Sequence, residues 1–375
     1  MNPMNTYQKP GLYIHIPFCR SKCPYCAFYS LASNSLISPW LNSLKKEIVY
    51  YKDQFECFDT LYIGGGTPTF LDAWALETIM KHILNNFHFA PDTEITIEAN
   101  PCDLTREKIN VLKELGFNRI SLGIQSFNDQ ELLFLGRKHS VREAETALTL
   151  LRSCGFENLS VDLIYGFEGQ SLKEWTKTLN RALSFQPEHL SCYQLTFEKR
   201  THFGRLKDKG LIKPISEKEE CTFFSATSQF LESHDYIHYE ISSFARGKTY
   251  YSRHNNKYWH HIPYLGLGPS AHSFHESSRW WNVRSIKRYC ELLEDGRAPI
   301  EGYENLTEDQ LRLESISLGS RTKEGFDLKE ISYNRSSKDV LMRLQTSGLV
   351  FIKNNKVIPT KEGFLVADHL ACCLF

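Results

Sequence analysis

Three cysteines, Cys19, Cys23 and Cys26, stand within one 17-residue stretch, IHIPFCRSKCPYCAFYS. Thiolates are the usual anchors of iron–sulfur clusters. A four-iron cubane held by three protein thiolates keeps its fourth iron open to chelation by a small molecule, so the spacing C-x3-C-x2-C suits a cluster with a working corner. Two other uses of cysteine compete. Structural zinc takes four ligands, and His15, just before the first cysteine, offers a fourth donor; such sites ordinarily bring two close pairs joined by a longer loop. Disulfides fit less well, because the 11 cysteines are odd in number and follow no pairing pattern, and a chain of this length needs no covalent staples. The remaining eight are scattered, mostly in apolar stretches where a free cysteine behaves as a small core residue.

The elements that must hold this loop are legible as alternating short apolar runs and longer helical stretches, the pattern of repeated β–α units. Strands are expected at 12–16, 60–65, 94–99, 119–124, 159–166 and 189–195. Between them, SPWLNSLKKEIVYY opens with Ser38 as a cap and Pro39 at the first helical position, and LTREKINVLKELG ends at Gly116. Six units in series favour a partial or full α/β barrel. In such a barrel the loops after the strands gather at one face and build the site. The cysteine loop follows the first strand and Gly64-Gly65-Gly66-Thr67-Pro68 the second, Glu98 ends the third and Gln125 the fourth, Arg137 lies in the next loop, and Asp162 is in the fifth. Each has a mundane reading as a turn, a cap or a surface charge. Their repeated position at strand ends is what marks the group.

At 375 residues the chain can bury a large core and a smaller second one. Lys plus Arg equals Asp plus Glu at 44 each, so no overall field draws it to nucleic acid or an anionic membrane. No apolar run approaches the roughly 20 residues of a membrane span, and the first residues lack a signal or transit character, so a reducing cytoplasm is the expected location. A band from Phe223 to Trp281 holds six Tyr, three Trp and seven of the 14 histidines. From about Leu306 two helices, a hairpin turning at Asn354 and Asn355, and a terminal helix read as a small winged-helix-like domain. The expected division is 1–235 for the barrel with its cluster loop, 236–300 for a His/aromatic-rich extension, and 301–375 for the small domain.

The segments YIHIPFC…CPYC, GGGTP, IEANP, SLGIQSF, LGRKHS and VDLIYG resemble the HemN/HemW branch of the radical S-adenosylmethionine (SAM) superfamily over nearly the whole chain. The resemblance implies a partial (β/α)6 TIM-type barrel carrying a 4Fe-4S cluster on Cys19, Cys23 and Cys26. It implies that Tyr13, Gly65 and Glu98 contact the cluster-bound SAM, while Tyr25, Gly66, Thr67, Gln125, Arg137 and Asp162 match positions that contact a second SAM in coproporphyrinogen dehydrogenases. Those enzymes extend the motif with a fourth cysteine, where this chain has Phe28, and carry a longer N-terminal extension. HNNKYW, His254 to Trp259, resembles the HNxxYW motif of the heme-binding side of the branch, and it makes His254 the expected axial heme ligand. The resemblance thus implies a heme chaperone, with heme-acceptor proteins of the respiratory-chain or storage kind and a reductant as partners and no nucleic acid. The other reading is an oxygen-independent coproporphyrinogen III dehydrogenase.

Overall fold

The computed structural model describes residues 9–331 and 335–374. Twelve strands form one sheet: β1 Gly11–Ile16, β2 Phe58–Gly65, β3 Phe89–Ala99, β4 Arg119–Gln125, β5 Leu159–Tyr165, β6 His189–Gln194, β7 Ile237–Glu240, β8 Ser243–Ala245, β9 Tyr264–Leu267, β10 His272–His275, β11 Ser278–Asn282 and β12 Ile300–Asn305. Their spatial order is β12-β11-β10-β9-β1-β2-β3-β4-β5-β6-β8-β7. The strands from β9 through β1 to β6 are mutually parallel, and the others join antiparallel at the two ends. The six expected strands are present, and β9 adds a seventh parallel strand on the free edge of β1.

Period-2 alternation decides what faces where. Leu12, Ile14, Leu61, Ile63, Ile120, Leu122, Val161 and Leu163 are fully buried in the core shared with the surrounding helices. Their neighbours Tyr62, Glu98, Ser121, Asp162, Ser191 and Tyr193 point to the inside of the curved sheet. An ordinary α/β barrel fills that inside with branched apolar side chains. Here the inward set is polar, so the interior stays open as a cavity.

The helices follow their local signals closely. Ser140 and Ser171 form capping boxes with Glu143 and Glu174, and Gly116, at φ +88°, ends the helix Arg106–Glu114. The first helix departs from expectation: it spans Ile37–Tyr51, so Ser38 and Pro39 lie in its first turn and no side chain caps it. Backbone contacts set that start, with the Ile37 N–H donating to the Asn34 carbonyl at 3.1 Å, and Trp40 and Leu41 are buried behind it.

The segment 236–300 is divided between the two ends of the same sheet, with β7 and β8 beside β6 and β9 to β11 beside β1. Its residues Phe244, Leu265, Leu267 and Tyr289 belong to the main core. The small domain has its own core around Ile316, Phe326, Leu341, Val350, Val357 and Leu370. It combines the helices Glu308–Gly319, Arg335–Thr346, Lys361–Leu365 and Ala367–Leu374 with a three-stranded sheet of β13 Phe326–Asp327, β14 Val350–Lys353 and β15 Lys356–Pro359. Asn354 and Asn355, at φ 51° and 59°, make the hairpin turn between β14 and β15. The domain is stitched to β7 and the residue that follows it by the Lys323 N–H donating to the Tyr239 carbonyl at 2.8 Å and the Ile241 N–H to the Arg321 carbonyl at 3.0 Å. Among the described residues no helix is long and apolar enough to cross a membrane.

Candidate functional site

The polar interior opens into a cavity of about 1180 Å³. Cys19, Cys23 and Cys26 border it together with Tyr25, Gly65, Gly66, Thr67, Glu98, Gln125, Arg137 and Asp162. This volume exceeds the roughly 300–1,000 Å³ of a typical pocket for one small ligand.

The cysteine loop is held from several sides. The Cys19 N–H donates to the Leu31 carbonyl at 3.0 Å and the Leu31 N–H to the Pro17 carbonyl at 2.8 Å, closing its base. The glycine run braces it from below, with Gly66 N–H donating to the Ile16 carbonyl and Thr67 N–H to the Phe18 carbonyl, both at 2.7 Å. Gly66 is required there, because a Cβ would stand 2.5 Å from the Phe18 carbonyl oxygen. Two polar side chains aim at the sulfurs: the Thr67 hydroxyl donates to Cys19 Sγ, and Arg137 Nη1 donates to Cys23 Sγ, each at 3.5 Å. Donors of this kind stabilise thiolates and tune the potential of a cluster they carry.

Among the described residues no group of three or more His, Cys, Asp or Glu is arranged to hold a single metal ion. His15, the fourth donor of the zinc reading, is buried with both ring nitrogens engaged, by the Tyr13 hydroxyl at 3.0 Å and the Tyr29 carbonyl at 2.8 Å. A cubane attaches its thiolates to different irons and needs no such close set.

Glu98 is the best-placed carboxylate. Its Oε2 accepts the Gly65 N–H at 3.0 Å and its Oε1 accepts the Tyr62 hydroxyl at 2.9 Å. Burial, with the nearby Asp162 charge, pushes its pKa up to about 7 against the opposing effect of those two donors. Asp162, likewise raised by burial, accepts the Ser121 hydroxyl at 3.0 Å. Arg137 Nη2 donates to the Gly123 carbonyl at 2.7 Å, while its Nε is buried without a partner. The wall therefore offers carboxylates to a ligand's ammonium and hydroxyl groups, with the positive charge of the Arg137 guanidinium beside them to complement its carboxylate. That is the donor set SAM requires. Tyr62 and Ser121 carry no motif signal of their own; inward alternation beside Glu98 and Asp162 is the cue that finds them.

Two expected residues lie elsewhere. Tyr13 points inward one layer below the cavity wall, against Tyr62 and His15. His254, the expected heme ligand, does not border the cavity. It is 1% exposed, with Nδ1 bonded to the Thr60 hydroxyl at 2.9 Å and Nε2 to the Tyr258 hydroxyl at 2.9 Å. Burial beside Lys257 lowers its pKa to about 3, so it is a neutral ring with both nitrogens spent. The helix Arg253–Trp259 that carries it caps the starts of β1 to β3, with Glu94 accepting the His254 N–H at 3.1 Å and Lys257 paired to Asp59 at 2.5 Å. None of the seven histidines in the aromatic band borders the cavity.

Comparison with known proteins agrees with this geometry. Residues 13–182 match the model of the Radical SAM superfamily. The chain is 36% identical to the heme chaperone HemW of Bacillus subtilis, across 96% of this chain and 97% of that protein. It is 34% identical to the heme chaperone HemW of Synechocystis, across 91% and 85%. The solved structure of coproporphyrinogen III oxidase (HemN) from Escherichia coli superposes with a TM-score of 0.85 over 99% of this chain and 91% of that one, at 24% identity. An α/β fold of the radical SAM type, with three cysteines bordering the cavity inside its sheet, is thus the class that these findings define. The chain belongs to the radical SAM superfamily and, within it, to the HemW family of the HemN/HemW branch. Membership in the superfamily implies a 4Fe-4S cluster and SAM as cofactors.

Proposed function

We propose that the protein is a heme chaperone that binds heme and passes it to acceptor proteins, with a SAM-chelated 4Fe-4S cluster on Cys19, Cys23 and Cys26. The observation that carries this reading is identity of 34–36% to heme chaperones along nearly their whole length. Phe28 supports it: the position that would bring a fourth cysteine in the dehydrogenases holds a phenyl ring, 66% exposed, at the rim of the cavity. An apolar rim suits a flat apolar macrocycle better than a thiol would. Glu98 would hold SAM against the open iron, with Gly65 admitting close approach, while Gly66, Arg137 and Asp162 line the adjoining space where a second SAM would lie. When bound, the cluster supplies an electron that cleaves SAM reductively. The chain's own part is to hold the sulfurs by Thr67 and Arg137, to orient SAM through Glu98, and to keep the interior accessible to a second, larger ligand. Heme acceptors and an electron donor for the cluster complete the set of partners.

The test is anaerobic reconstitution followed by a heme titration beside incubation with coproporphyrinogen III and SAM. About four irons per chain, heme uptake and no protoporphyrinogen are expected; Cys19→Ala, Cys23→Ala or Cys26→Ala should each abolish the cluster's visible absorption, and Cys57→Ala should not. Turnover of coproporphyrinogen III would overturn the chaperone reading.

A further inference from the structure

Heme iron needs an axial donor that a ligand in the cavity can reach. Two of the 14 histidines border the cavity, His189 and His369. His189 is fully committed, with Nδ1 bonded to the Ser160 hydroxyl and Nε2 to the Tyr239 hydroxyl, both at 2.8 Å. His369 is different. It stands exposed on the terminal helix Ala367–Leu374, and its imidazole makes no hydrogen bond, ion pair or ring contact with any described residue. Phe364, Leu365 and Val366 border the cavity just before it in the chain, and across from the small domain Cys221 and Phe224 of the helix Glu217–Glu232 border the same cavity. An unspent nitrogen donor beside aromatic and aliphatic side chains is the pairing a porphyrin requires, a metal ligand plus apolar cover for the macrocycle.

We propose that His369 is the axial ligand of heme iron and that Phe364, Leu365 and Phe224 cover the macrocycle, so that heme sits between the small domain and the barrel. The assignment rests on the chaperone reading above and moves the ligand out of the HNNKYW segment to a residue that no motif marks. Of the other donors bordering this part of the cavity, Cys221 is the soft donor that must be tested against His369.

The experiment is heme titration of the anaerobically reconstituted full chain, comparing wild type, His369→Ala and Cys221→Ser by Soret absorption and by the electron paramagnetic resonance of the ferric form. His369→Ala should weaken heme binding about tenfold or more and change both spectra, and added imidazole should restore the wild-type spectrum by occupying the vacated position. Its cluster absorption and circular dichroism should match wild type, since the replaced side chain supports nothing. Cys221→Ser should keep wild-type spectra. Unchanged affinity and spectra in His369→Ala, or their loss in Cys221→Ser instead, would overturn the assignment while leaving the chaperone reading intact. No heme uptake by the wild type would overturn both.

Discussion

Tyr62 lies face to face with His254, their ring centroids 5.1 Å apart, and its hydroxyl reaches up to Glu98. The buried imidazole thereby supports the carboxylate on the cavity wall from one layer below. Replacing His254 by Ala removes the support and leaves the Thr60 and Tyr258 hydroxyls without their partner. A loss of about 2–4 kcal/mol of stability is expected, with weaker SAM binding and a normal heme spectrum. Denaturant unfolding, calorimetric SAM titration and Soret absorption check the three parts. A changed Soret band in an otherwise folded protein would return His254 to the heme site.

The elevated pKa of Glu98 makes SAM binding depend on pH. With a value of about 7 in the free protein, the group is largely protonated at pH 6 and largely ionised at pH 8. If the ionised form is the one that receives the ligand's cationic end, affinity should rise about tenfold between those values, the effect of a single linked proton. Glu98→Gln should bind weakly and show a flat profile. Titration calorimetry across this range decides the matter, and a wild-type profile as flat as that of the variant would reject the role.

Arg137 puts a cationic donor on Cys23 Sγ. Positive charge and a hydrogen bond at sulfur favour the reduced, more negative state of a cluster. Arg137→Met should therefore lower the midpoint potential, as read by a redox titration followed by electron paramagnetic resonance. An unchanged potential would mean that the contact has no electronic weight.

Gly65 and Gly116 both have positive φ, at +106° and +88°, but only one sits in a crowd. A Cβ on Gly65 would lie 2.5 Å from the His15 ring, whereas at Gly116 the nearest atom is Ile95 Cδ1 at 4.0 Å. Gly116→Ala should cost the backbone strain alone, about 1 kcal/mol, with normal cluster content. Gly65→Ala should displace His15 and the glycine run that braces the cysteine loop, so iron content and SAM binding should fall together. Iron analysis of the two variants separates the effects.

The parts of the fold that local sequence controls were legible. Period-2 runs located β1 to β6, and Asn354 with Asn355 located the hairpin, because each signal lies within the element it specifies. Pairings between distant segments carry no such signal. Nothing local in YLGL announces that β9 will lie beside β1, and the aromatic band read as one extension because its sequence is continuous while its strands go to opposite ends of the sheet. The site followed the same division. The cysteines and the residues at strand ends reach one cavity because strand direction dictates it. A motif names residue types without saying which way a helix turns them, so HNNKYW gives no sign that His254 lies below the cavity, and nothing around His369 in its helix marks it as a cavity residue.

The position of β1 between β2 and β9 also bears on how the chain is made. β1 meets its first neighbour when β2 has been synthesised, but its second, β9, begins at Tyr264, roughly 200 residues after β2 ends at Gly65. At about 5–20 residues per second that interval is roughly 10–40 s. Throughout it the strand leading directly into the cysteine loop presents an unpaired edge, an invitation to wrong partners. The same delay leaves the nascent cysteine loop without the neighbours contributed by the last third of the chain. Chain refolded from denaturant, which lacks that vectorial order, should lose material to aggregation at this edge.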